Sequence, residues 1–308
     1  LRALVPTREG AVSLSQDFPK HSVQAGKLWL QINPYGGCYL GPSQLQDCSP
    51  DYFALWCQQE LDSLNYPLCW LELTETMMPL IPAALAAGFT FHHCQTRQLM
   101  MVKKLQASAY LPFAATHSIG IGGATFNERG EILLIRERPL PSQQAASGGA
   151  TTTPTHWKLP GGMVEPFENF TDAVVREVFE ETGVTASFSQ MLALRHHHHG
   201  QFGASNIYFV ALLQATSAQI AIDEREIAEA RWFEPMAFLQ DPSAGAYNKL
   251  LVQLALKAYQ HDTMEPALSQ TSTPAIATTG VGWHSHKIPG YRAADDTYEV
   301  FSPRFLRG

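Results

Sequence analysis

Residues 162–184, GMVEPFENFTDAVVREVFEETGV, constrain the local structure of this chain more than any other stretch. Asn169 stands where it can cap a helix, and Asp172 follows at the third helical position, where a negative charge suits the positive helix start. Ala173, Val174 and Val178 supply an apolar face, and Gly183 is suited to a left-handed stop. On such a helix Glu177, Glu180 and Glu181 fall at i, i+3 and i+4, within roughly a third of the circumference. Three carboxylates this close repel one another unless a cation sits among them. Their hard oxygens suit Mg2+ or Mn2+ rather than zinc. The plainer reading is a solvated acidic helix face, the usual fate of a glutamate cluster.

The spacing argues against the plainer reading. Gly162, Glu168, Arg176, Glu177, Val178, Glu180, Glu181, Gly183 and Val184 occupy every fixed position of the pattern G-x5-E-x7-R-E-U-x-E-E-x-G-U, with U aliphatic. With WKLPGG before it, this stretch resembles the core of the Nudix hydrolase superfamily. SIGIGGATFNERGEILLIRERP upstream, and RHHHHGQFGASNIYFVALL and EIAEARWFEP downstream, resemble other strands and a loop of that fold. CWLELTETMMPLIPAALAAGFTFHHC, residues 69–94, resembles the amino-terminal module of one branch. That branch holds the animal fibroblast-growth-factor-antisense Nudix protein and the plant ADP-ribose/NADH pyrophosphatases. The likeness covers roughly residues 50 to 260.

The resemblance implies an α/β protein, a Nudix α/β/α sandwich with a mixed sheet behind a small α/β module. It implies hydrolysis of a nucleoside diphosphate linked to another group, ADP-ribose and/or NADH above all, yielding AMP with Mg2+ or Mn2+. Alternatives are a coenzyme A derivative, FAD or an RNA cap as substrate, or a regulatory nucleotide-binding protein of low turnover. By the same resemblance Glu177 and Glu181 ligate metal directly, Glu180 shares a second ion, and the Gly161 carbonyl completes the shell. Arg176 and Glu168 form a supporting pair that orients Glu177. The general base stays open among Glu177, Glu226 and Glu229.

Several other residues have both a functional and a plain reading. Arg136 on LLIRER could reach phosphate or face solvent beside Glu137. Trp157 could stack on a base or pack in the core. Phe202 and Asn206 lie in FGASN, which resembles a family FG-x-S-D run with Asn206 in place of the acid. The run His196–His199 looks like a metal tract, but on a strand end alternate side chains face opposite ways, so at most two converge. His92 and His93 are read as packed or hydrogen-bonded strand residues that mark the module. Some 15 to 18 residues past the pattern lie His199, Gly200, Gln201 and Phe202. Neither the proline of one class of ADP-ribose hydrolases nor the tyrosine of dinucleoside polyphosphate hydrolases is among them. The SQPWPFPxS run of another NADH-hydrolysing class is missing as well. The substrate expectation therefore rests on the amino-terminal module.

Composition narrows the rest. A net charge of −7 over 308 residues argues against a dedicated nucleic-acid surface. An anionic nucleotide meeting an acidic protein needs another positive source, which bound metal provides. Five scattered cysteines without a CxxC pair read as reduced thiols, so an intracellular protein is expected, in the cytoplasm or, because the chain starts at Leu1, in an organelle. No stretch is long and apolar enough to span a membrane.

The expected organisation is a flexible extension over residues 1–24, an amino-terminal module over 25–112, a Nudix domain over 113–262 and a mostly disordered tail over 263–308. A low-complexity loop, PSQQAASGGATTTP at 141–154, interrupts the Nudix domain. Helices are expected at 50–64, 76–87 and 250–259. A module this small is marginal alone, and a homodimer is the expected assembly.

Overall fold

The computed structural model describes residues 22–25, 27–33, 37–138, 156–198, 200–264, 283–289 and 297–303. The expected loop at 141–154 and His199 lie outside the described residues. The chain divides into two compact units, Leu1–Ala115 and Thr116–Gly308.

The first unit is a six-stranded sheet in the order β1-β2-β3-β4-β6-β5, with β3 and β4 parallel and the other neighbours antiparallel. Its strands are β1 (Ser22–Ala25), β2 (Leu28–Ile32), β3 (Cys38–Leu40), β4 (Leu68–Thr74), β5 (Thr90–Gln95) and β6 (Gln98–Lys104). β1 thus begins inside the expected extension. Alternation along β4 divides its faces. Cys69, Leu71 and Leu73 enter the main core with Leu30, Phe53, Trp56 and Phe89, while Leu68 and Trp70 pack on the other side with Val102 and Ala109.

Helix α1 (Pro42–Leu45) is a single turn, and α2 (Pro50–Gln59) starts where the Ser49 hydroxyl accepts the Tyr52 N–H at 3.2 Å. Phe53, Trp56 and Cys57, three and four residues apart, form its buried face. The expected helix over 76–87 is instead a 3-10 stretch, Glu75–Leu80, running into a short α3, Ile81–Ala86. Pro79 and Pro82 remove two amide donors there, so a continuous α-helix cannot form. His92 and His93 are hydrogen-bonded strand residues. His92 Nε2 lies 2.8 Å from Pro112 O, and the two Nδ1 atoms lie 2.6 Å apart.

The second unit is an α/β/α sandwich. Its strands are β7 (His117–Phe126), β8 (Ile132–Glu137), β9 (Gly161–Met163), β10 (Ala186–His197), β11 (Ser205–Ala215), β12 (Ile227–Phe233), β13 (Trp283–Pro289) and β14 (Thr297–Pro303). The sheet order is β12-β8-β7-β11-β10-β14-β13, and β9 pairs separately with β7. Among the described strands only β7 and β11 run parallel, so the sheet is mixed. Period-two alternation distributes the core between two layers. Val210 and Leu212 of β11 and Ile132 and Leu134 of β8 face α6 (Ala246–Met264), which contributes Leu251, Val252, Ala255 and Ala258. Ala211, Leu213 and Leu133 face α4 (Phe170–Thr182), which contributes Ala173, Val174 and Val178. The short helix α5 (Pro235–Gln240) adds Phe238 to the first layer.

Two stretches within the expected tail are strands. Residues of β14 pair with β10 from Leu194↔Phe301 to His196↔Glu299, and β13 pairs with β14. Val300 is fully buried, and the pairing gives the backbone groups along the β10 edge partners.

Candidate active site

Helix α4 brings the charged residues together. Gly183 ends it in the left-handed conformation at φ 69°, as the sequence requires. Asn169 does stand at the cap position, yet its side chain caps no amide; its Nδ2 donates instead to Asp172 Oδ2 at 2.9 Å. The backbone before the helix is set by two glycines. Gly161 sits at φ +149°, and a methyl on Gly162 would come within 2.5–2.7 Å of the Glu177 carboxylate. Bare backbone is what lets that carboxylate lie against the strand.

Glu181 is 7% exposed, and its Oε2 accepts the Gly161 N–H at 2.8 Å. Burial pushes this carboxyl up to about 7, with Glu177 and Glu137 adding to the shift and Lys158 and the Gly161 amide opposing it. Burial also raises Glu177, against the pull of Arg176.

Arg176 organises the outer part. Its Nε and Nη2 reach the two oxygens of Glu168 at 2.7 and 2.9 Å, a forked pair that holds Glu168 below the usual carboxylate range. Its Nη1 reaches Glu177 at 3.0 Å and Glu180 at 2.8 Å. Glu180 is 57% exposed at the rim.

The residues fit a hard divalent cation by their donors. Two poorly solvated carboxylates one turn apart, Glu177 and Glu181, flank a glycine backbone, and both are raised by burial in a way that positive charge would relieve. In the present side-chain arrangement, no three His, Cys, Asp or Glu among the described residues converge as a ready metal-ligand group. Arg176 and the Gly161 amide hold the carboxylates instead.

Beside Gly161 opens a cavity of about 640 Å³, lined by residues that include Lys158, Arg195, Tyr208, Tyr247 and Asn248. Sequence reasoning missed this wall. Arg195 lies over the rings of Tyr208 and Tyr247 at 5.2 and 5.4 Å, and donates to Asn206 Oδ1 at 3.0 Å. The available signal was the FGASN segment itself: Asn206 keeps a hydrogen bond to an arginine where the family run has an acid. Asn206 therefore supports the wall and does not line it.

The other expected contacts fall elsewhere. Trp157 is 8% exposed and packs edge-on against Phe233, with the Arg136 guanidinium 4.3 Å above its ring. This ring is part of the core, the packing reading of the two it had. Arg136 lies 3.6 Å from Glu229, which also pairs with Arg231. Neither Arg136 nor Glu229 lines the cavity. Glu226 is exposed in the loop before β12 and is likewise not part of the lining. Phe202, at φ 54°, is fully exposed outside the cavity. Along the histidine run, His196 and His198 meet edge-on at 4.4 Å while His197 is buried, and His117 stacks on His196.

Comparison with known proteins extends the geometry to a family. A NUDIX domain model matches residues 116–254, and a model described as a Nudix hydrolase domain matches residues 28–105. The chain is 33% identical over 175 residues to Nudix hydrolase 8 of Arabidopsis thaliana, covering 56% of this chain and 45% of that one. It is 30% identical over 213 residues to Nucleoside diphosphate-linked moiety X motif 6 of Mus musculus, covering 68% and 64%. It therefore spans less than two thirds of the length of these two relatives. Against Nudix hydrolase 6 of Arabidopsis thaliana it is 30% identical over 217 residues, covering 68% of this chain and 72% of the relative. These plant and animal relatives match the branch suggested by residues 69–94, and the chain belongs to the Nudix hydrolase superfamily.

Proposed function

We propose that the protein hydrolyses the diphosphate of a nucleoside diphosphate linked to another group, with ADP-ribose and/or NADH as substrates and AMP as a product. The observation that carries this reading is the buried Glu181 carboxylate held on Gly161 at 2.8 Å, at the edge of a cavity that Lys158 and Arg195 line. An acidic protein that binds an anionic diphosphate needs local positive charge; Arg195 supplies part of it, while Lys158 is paired with Glu137 on the same wall.

Glu177 and Glu181, with Glu180 at the rim and the Gly161 carbonyl, would hold Mg2+ or Mn2+. The bound ion would neutralise the diphosphate and lower the pKa of a water. The protein's own residues set the geometry. Arg176 fixes Glu177 through the same guanidinium that grips Glu168, so the carboxylate keeps its position while charge develops nearby. Among the candidate bases, Glu177 is the one the geometry favours, because it lies within the carboxylate cluster whereas Glu226 is exposed on a loop. The choice of ADP-ribose and NADH rests on the amino-terminal module.

Product analysis by mass spectrometry over a panel of nucleotides, with Mg2+ and with Mn2+, tests the assignment. AMP released from ADP-ribose or NADH, with higher kcat/KM than for nucleoside triphosphates, is expected. A preference for coenzyme A derivatives, FAD or capped RNA would replace the substrate and leave the hydrolase standing. Binding without turnover would make the protein regulatory.

A further inference from the structure

Tyr208 is the least expected member of the cavity wall. It stands on β11 opposite Gly120, and its ring runs along β7 toward Gly122. A methyl on Gly120 would come 2.8 Å from the ring, and one on Gly122 would come 2.5 Å from the hydroxyl oxygen. A methyl on Gly161 would lie 2.8 Å from the same oxygen. Three glycines, two of them in the SIGIGG run, thus vacate the space through which this ring reaches the start of β9 that Glu181 grips. The Arg195 guanidinium covers the ring from the other side.

We propose that Tyr208 is a substrate-contacting residue of this site, its hydroxyl donating a hydrogen bond to a non-bridging oxygen of the diphosphate held at Gly161. The inference rests on the hydrolase reading above and adds a residue that the Nudix pattern does not contain. The position of the hydroxyl carries it: Gly161 lines the same cavity, and its amide holds the buried Glu181 carboxylate. A phenol O–H can donate to an anion without adding to the repulsion among the carboxylates beside it.

The competing role is packing alone, and phenylalanine serves packing equally well. Tyr208→Phe keeps the ring and removes only the hydroxyl. The expected result with ADP-ribose and Mg2+ is a loss of about 10- to 100-fold in kcat/KM, the usual effect of deleting a hydrogen bond to a charged group. The melting temperature should stay within a degree or two of wild type. In parallel, calorimetric binding of inorganic pyrophosphate with Mg2+ should weaken about 10-fold. Wild-type kcat/KM and wild-type pyrophosphate affinity in Tyr208→Phe would overturn the proposal. The two readings fail separately. A wild-type protein that cleaves no diphosphate sinks the hydrolase assignment, while the pyrophosphate titration still decides for or against the contact.

Discussion

Glu181 and Gly161 are joined by a hydrogen bond of 2.8 Å from the glycine amide to a carboxylate that is 7% exposed. One amide donor does not replace the water this carboxylate gives up, and its pKa rises from 4.5 to about 7. The folded state thus binds a proton more tightly than the unfolded state. Stability from this group is full below the unfolded value and is lost as pH rises through the folded one. A shift of this size corresponds to about 3 kcal/mol. Without divalent metal, the melting temperature should fall between about pH 4.5 and 7, and Glu181→Gln should flatten that fall. Calorimetric melts across this range check it. An equally steep fall in the variant would place the titration elsewhere.

The same variant carries the catalytic test. Glu181→Gln preserves shape and removes a ligand charge, so turnover should drop by about three orders of magnitude or more while the fold survives. Glu177→Gln should behave alike. Near-normal turnover of both at saturating Mg2+ would remove the carboxylate pair from catalysis.

How much of this was legible beforehand follows from the range of the forces involved. Helix α4 and its Gly183 stop were readable because short-range spacing fixes them locally, and the Glu168–Arg176 pair was implied by the family resemblance. The cavity wall was not, because Arg195, Tyr208 and Tyr247 meet only when β10, β11 and α6 assemble. Residue type alone also left the roles of Trp157 and Phe202 open. Each is a plausible stacking residue by type, but packing buries the first against Phe233 and leaves the second wholly in solvent. Composition alone does not place a strand such as β14, which is stabilised by adding to an existing edge.

Arg176 serves Glu168, Glu177 and Glu180 at once through one planar group. Lysine keeps the charge but cannot fork. Arg176→Lys should destabilise the protein by about 1–2 kcal/mol, because the pair is partly exposed. Its effect on kcat should exceed that on KM, since Glu177 loses its orientation. Steady-state kinetics beside a denaturant melt separate the two effects, and a variant with unchanged kcat would show that Glu177 holds its place without Arg176.

Gly162 tests the close approach of Glu177 to the backbone. Alanine there would place a methyl 2.5 Å from a carboxylate oxygen, so the side chain must move. Gly162→Ala should weaken Mg2+ affinity at least about tenfold while leaving the core layers intact. Titration of activity against Mg2+ gives the answer. An unshifted metal midpoint would mean that Glu177 has room this geometry does not show.

Self-association is the last expectation to test. The amino-terminal unit has its own buried core, yet α2 and α3 leave Leu55 and Leu85 each 46% exposed. Exposed leucines on two helices that pack together are a natural seam for a twofold contact, the commonest assembly of soluble chains. The full-length chain should scatter light as a homodimer, and Leu55→Glu with Leu85→Glu should yield monomers whose melting temperature is nearly unchanged. Deleting residues 1–106 should likewise abolish the dimer, giving a monomer or an aggregating product with weakened substrate affinity. A full-length chain that stays monomeric at high concentration, beside a truncation equally soluble and active, would make the amino-terminal unit a separate appendage.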